Sequence, residues 1–165
     1  MTEWYENGKE KGGGNFKDGK KEGLWTYWHK NGQKRSEQNF KNGKPDGVLT
    51  EWYSDGQKES EGNFKDGRRD GFGTAWHANG QKRSEANFRD GNEDGFVISW
   101  YKNGQKAGEG NWKKGRPFST ESWQPNGEKC PVTNLKDGNG VMVWYKEDGT
   151  ELFRTTFKDS EPVVD

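Results

Sequence analysis

Two histidines, one cysteine and an even scatter of carboxylates are the groups in this chain with chemistry to offer. A histidine pair can hold a metal or pass a proton. His29 and His77, however, each follow a Trp at equivalent places in a recurring pattern, two recurrences apart. If each recurrence is a pair of strands, they stand roughly 20 Å from one another, too far to share a metal or a proton. Asp66 to Gly71 and Asp90 to Gly95 both read Asp-Gly-x-x-Asp-Gly, which invites calcium. They lack the alternating acids of an EF-hand loop and the nonapeptide step of a calcium-binding β-roll, and turn chemistry accounts for their Asp and Gly. Cys130 precedes Pro131 with no His nearby in sequence to activate it. The basic pairs Lys34-Arg35, Arg68-Arg69 and Lys82-Arg83 sit beside aromatics, a combination used on single-stranded nucleic acid, but acidic residues follow them and a solvated charged face explains them better. No Ser-His-Asp set, phosphate loop or metal-ligand cluster is legible. The expectation is a chain with no catalytic residues, no metal and no cofactor.

The elements that carry these residues repeat. Trp recurs as Trp4, Trp28, Trp52, Trp76, Trp100, Trp123 and Trp144, and a Gly follows each by four residues, or by five in the last two-strand unit, where Gly149 closes the turn. A large apolar residue comes eight further on: Phe16, Phe40, Phe64, Phe88, Trp112, Leu135 and Phe157. Seven such units divide the chain at 1–22, 23–46, 47–70, 71–94, 95–118, 119–139 and 140–160, with a tail at 161–165. The chain opens in mid-repeat, so its start is expected to be that of a fragment.

Each unit reads as two short strands between Gly-centred turns. In the third, Val48 to Tyr53 is a strand, Ser54-Asp55-Gly56 a tight turn, and Gln57 to Phe64 the return. Asn-Gly and Asp-Gly provide the positive φ such turns need. Period-two alternation then assigns faces. Val48, Thr50 and Trp52 share one, and Ser60, Gly62 and Phe64 share one. The expectation is a single packed face with a Trp and a Phe from every hairpin, with Gly14, Gly62, Ala86 and Gly110 leaving room for a neighbouring Trp. Glu37, Glu61, Glu85, Glu109 and an Asn column are expected to face water. Because a lone hairpin is marginal in water, stability must come from stacking neighbours. The predicted fold is all-β: tandem β-hairpin repeats forming one elongated, twisted antiparallel sheet.

Composition bounds function. Hydrophobic residues are only 25% and mean hydropathy is −1.44, yet aromatics reach 14% with nine Trp, in register. That separates the chain from disordered sequences, which are depleted in aromatics. Zero net charge and a pI near 6.8 remove the electrostatic footprint of a nucleic-acid binder and count against anionic lipid. One cysteine excludes an internal disulfide framework, and a free thiol suits a reducing, cytoplasmic setting.

Glu61-Gly62-Asn63-Phe64-Lys65-Asp66-Gly67, running through Gly71-Phe72-Gly73-Thr74 to Asn79-Gly80, resembles the MORN repeat. It departs where such repeats place Tyr before Glu-Gly, since Ser36, Ser60, Ser84 and Gly108 stand there. With Trp taking the aromatic role, the chain is similar to bacterial MORN-variant proteins assigned as antitoxins. The resemblance implies a protein-binding repeat protein whose partner is a toxin. The alternatives it leaves open are a membrane-proximal scaffold and a structural spacer within a larger protein. Candidate partner-binding residues are His29, Tyr53, His77 and Tyr101, a planar column with one member per hairpin, and Arg116 and Phe118, at the end of the fifth unit, where the fifth and sixth units depart from the pattern.

Overall fold

The structure is a computed structural model that describes residues 2–163, and all its regular elements are β-strands. The chain divides into two compact units, Met1–Gly80 and Gln81–Asp165. In the first, β1 (Thr2–Trp4), β2 (Glu10–Lys17), β3 (Lys20–Trp28), β4 (Lys34–Lys41), β5 (Lys44–Trp52), β6 (Lys58–Lys65) and β7 (Arg68–Trp76) follow in order, each antiparallel to the one before. In the second, β8 (Lys82–Arg89), β9 (Asn92–Trp100), β10 (Lys106–Lys113) and β11 (Arg116–Ser122) do the same. There β12 (Gly140–Tyr145), β13 (Glu151–Lys158) and β14 (Glu161–Pro162) form a separate antiparallel sheet. The all-β fold of tandem hairpins is as the sequence implied.

Two turn types alternate. At Lys65-Asp66-Gly67-Arg68 both central residues are left-handed, Asp66 at φ 49° and Gly67 at φ 88°. This is the two-residue turn whose twist matches that of paired strands. The turn is tied to the preceding repeat, since Gly67 N–H donates to Pro45 O at 2.8 Å. Carboxylates of the preceding unit also accept from turn amides: Glu22 from Asn42 N–H at 2.9 Å, and Asp46 from Asp66 N–H at 3.4 Å. In the Asp90–Gly95 motif the second acid does the same, Asp94 accepting from Lys114 N–H at 3.3 Å.

The other turn closes at Tyr53–Gln57, with Tyr53 N–H to Gln57 O at 2.8 Å and Asp55 Oδ1 accepting from Gln57 N–H at 3.0 Å. It ends on a bulge: Glu51 pairs with Ser60, but Trp52 pairs with Lys58. One extra residue in the return strand reverses the parity of everything beyond it. That overturns the expected shared face. Val48 and Thr50 stand opposite Asn63 and Glu61, whereas Leu49 and Glu51 stand opposite Gly62 and Ser60. Phe64 therefore lies on the face of Leu49, and the Trp52 column lies with the Glu and Asn columns.

The packed face is the one with Phe. In the first unit its centre is Trp25, 1% exposed. Phe16 meets it edge-on at 5.0 Å, Phe40 at 6.2 Å, and Tyr27 stacks at 6.2 Å. In the second unit Ala86, Val97 and Trp112 form one cluster and Leu135, Met142 and Phe157 another, and Trp144 packs against both. Of the glycines expected to leave room for an indole, Gly14 does so, for Trp25: an added Cβ would stand 2.5 Å from it. Gly62 and Gly110 instead face the backbone of Gly73 and of Ser119-Thr120, and it is Gly108 that takes the other indole, with Trp144 2.3 Å from an added Cβ.

The final hairpin corrects the expectation of one continuous sheet. Beyond Ser122, segment 130–135 runs beside β11 through Cys130 N–H to Ser122 O at 2.8 Å and Thr120 N–H to Leu135 O at 3.0 Å. Pro131 interrupts this edge, having no N–H to offer. Ser122 and Thr133 share a buried hydroxyl pair at 2.7 Å. With the edge of β11 occupied by irregular chain, β12 and β13 pair with each other and place Trp144 over Gly108 instead.

Candidate partner-binding surfaces

The planar column is placed by its position immediately after each repeat Trp, at the mouth of the bulged turn. Four members reach forward one repeat. Tyr5 Oη donates to Trp28 O at 2.8 Å, Tyr53 Oη to Trp76 O at 2.7 Å and Tyr101 Oη to Trp123 O at 2.7 Å, while His29 Nε2 lies 2.8 Å from Trp52 O. These side chains hold successive turns in register. His29, Tyr53 and His77 are half-buried and Tyr101 is buried. Burial first, then the charge of Glu147 and of Cys130, pushes the Tyr101 phenol up to about 12.

Arg116 and Phe118 stand apart from that column. Both lie at the start of β11, whereas Tyr101 reaches Trp123 just past its end. Arg116 is exposed and paired with Glu161. Phe118 is half-buried, with Lys113 Nζ 3.4 Å from its ring centre.

Sequence reasoning missed a second arrangement, on the face opposite the core. Lys34 pairs with Glu37 at 2.6 Å and lies 5.7 Å over the Trp52 ring; Lys58 pairs with Glu61 at 2.7 Å and lies 5.5 Å over Trp76. The second unit repeats it: Lys106 pairs with Glu109 at 2.8 Å and lies 4.7 Å over Trp123. Each pair spans two columns of one strand and one Trp of the next hairpin, so cation and carboxylate cancel locally. On this same face stand the apolar residues that sequence alternation placed in the core: Leu24 at 51% exposure, Val48 at 44% and Phe72 at 48% in the first unit, and Phe96 in the second. The signal that would have found them is the Gly before each, Gly23, Gly47, Gly71 and Gly95, all with positive φ. A left-handed Gly inside a strand marks a bulge, which makes simple alternation unsafe.

Residues 21–42 and 45–66 match the MORN repeat variant. These two MORN-variant hairpins, β3–β4 and β5–β6, are the ones that carry Leu24, Trp28 and His29, and Val48, Trp52 and Tyr53. No curated protein matches the chain.

Cys130 is the remaining group with reactive potential. It is buried, with its sulfur 3.0 Å from Tyr145 Oη. Burial works to raise the thiol, but hydrogen bonds from Thr133, Tyr145 and the Val132 backbone outweigh it and bring it down to about 7. Tyr145 is pushed up to about 12, chiefly by that bond to Cys130 and then by burial. The pair joins segment 130–135 to β12, a structural position.

Proposed function

We infer that this chain is a non-catalytic repeat protein that binds another protein through the outer face of its hairpins, and that neutralising a toxin is the form this binding takes. The observation that carries the reading is the exposed apolar column Leu24, Val48 and Phe72. Exposed large apolar residues rimmed by polar ones mark an interaction site, and here they recur once per hairpin beside half-exposed Trp, with Asn39 and Asn63 between them. The local cancellation of Lys34 by Glu37 and Lys58 by Glu61 favours a protein over lipid or nucleic acid, whose capture depends on uncompensated positive charge. The MORN-variant match supports the repeat character, and the resemblance to antitoxin-type proteins supports the finer reading.

The test is retention of a partner by the intact chain and by a Val48→Asp/Phe72→Asp variant, in the native host. A partner held by the intact chain and lost by the folded variant supports the outer face. A partner held equally by both overturns it. Co-expression of that partner with and without this chain, followed by growth, tests neutralisation directly: equal growth in both cultures sinks the antitoxin role.

A further inference from the structure

The outer face of the second unit carries a cleft of about 410 Å³, within the span of roughly 300–1,000 Å³ usual for small-molecule sites. It opens where the repeat is broken. Gly110 pairs with Thr120 as Ala86 pairs with Val97 one hairpin earlier. Ser119 therefore occupies the place that Phe96 holds before Val97, and its small side chain leaves room there. Asn111 stands between the two, opposite Phe96 on one side and Ser119 on the other. Segment 130–135 runs along the far edge of β11, so Asn134 and Lys136 close the other side of the cleft.

The lining joins one exposed ring to hydrogen-bonding groups whose charges are largely matched. Phe96 is 44% exposed. Glu109 and Glu121, which also line the cleft, stand directly opposite one another across β10 and β11, a pairing of like charges that is ordinarily unfavourable. Each is offset by its own lysine, Lys106 at 2.8 Å and Lys129 at 2.8 Å, and each carboxylate has acceptor sites to spare. Asn134 accepts from Val141 N–H through Oδ1 at 2.8 Å, which leaves its NH2 group as a donor. The side-chain amide of Asn111, donor and acceptor at once, has no partner among the described residues. A cationic ligand is disfavoured because both glutamates already hold a lysine, and an anionic one finds only Lys136 without an ion pair. An extended peptide added as a strand needs a free edge, and the edge of β11 is taken by segment 130–135. What fits is an uncharged molecule with one apolar face and neighbouring groups that each donate and accept. A pyranose ring has both: C–H bonds that suit the negative face of an aromatic ring, and hydroxyls that are donor and acceptor together.

We propose that this cleft binds a neutral saccharide, with the sugar ring against Phe96 and its hydroxyls shared among Asn111, Asn134, Glu109 and Glu121. The proposal goes beyond the protein-binding reading, which rests on Leu24, Val48 and Phe72 in the first unit, and neither depends on the other.

The experiment titrates the full chain calorimetrically with cellohexaose, maltohexaose and N-acetylchitohexaose. At least one is expected to bind with a dissociation constant below about 1 mM. Ser119→Phe returns a large side chain to the cleft and should abolish that binding. Phe96→Ala should weaken it about tenfold with the melting temperature kept, because the ring is exposed, and carries the test by itself if Ser119→Phe unfolds the chain. Binding of none of the three sugars, or binding that Phe96→Ala leaves unchanged, overturns the proposal. A host protein that is retained by the parent and lost by Phe96→Ala, with no sugar bound, would overturn it too and would assign the cleft to the protein partner.

Discussion

The indole of Trp144 lies directly against Gly108: a Cβ built on that glycine would stand 2.3 Å from the ring. No real Cβ contact is that short, so the second unit closes its packed face only because residue 108 has no side chain. Trp144 is partly buried and joins both apolar clusters of that unit. Its docking distinguishes the last hairpin from the others, which continue the strand order.

Gly108→Val should displace Trp144 and loosen both clusters. Overpacking of this kind costs about 1–3 kcal/mol, and here the backbone is fixed in a strand, so the ring must move. Urea unfolding followed by Trp fluorescence would measure it. A variant as stable as the parent would show that Trp144 has another seat.

Trp25→Ala should be the most damaging single substitution in the first unit, at about 3–5 kcal/mol. It empties a site where Phe16, Phe40 and Tyr27 all meet the indole. Val48→Ser, on the exposed face, should cost under about 0.5 kcal/mol. Comparable losses in thermal melts would mean that the faces are reversed.

Tyr53→Phe removes only the hydroxyl that donates to Trp76 O. Loss of one such bond costs about 0.5–1.5 kcal/mol. The effect should appear first as faster amide exchange around Tyr53–Gln57 and Trp76, since the bond joins two turns. Exchange unchanged at both places would remove the registering role given to this column.

Stability should depend on pH at both ends of the alkaline range. Tyr101 is pushed up to about 12, whereas a phenol in the unfolded chain ionises near 10. Its contribution is therefore complete below about pH 10 and is lost as the pH rises toward 12. Cys130 is brought down from 9.0 to about 7. Its contribution is complete above the unfolded value and is lost as the pH falls through 7. Melts from pH 6 to 12 should show a rise across the thiol range and a fall above pH 10. Tyr101→Phe should flatten part of the fall and Cys130→Ser should remove the rise; profiles identical to the parent would contradict both assignments.

Sequence by itself determined the hairpins. Trp, Gly and Phe at a fixed step divide the chain, and Asp66-Gly67 carries in two residues the left-handed backbone that a tight hairpin requires. That information is local, because turn chemistry depends on φ at one or two positions. Which side of each strand is buried was decided by the tertiary structure. Leu24, Val48 and Phe72 are as apolar as core residues, and Trp52 alternates with them, yet the bulge between Glu51 and Trp52 changes the parity of pairing. A single inserted residue leaves composition and period untouched and exchanges the two faces. The use of the Tyr and His column was likewise invisible, since the carbonyls that Tyr5, His29, Tyr53 and Tyr101 reach belong to the next repeat. The departure of the last hairpin depended on contacts distant in sequence as well. Pro131 and Cys130 mark an irregularity in the chain, but only the packing of segment 130–135 along β11, and of Trp144 on Gly108, turns that irregularity into a second sheet.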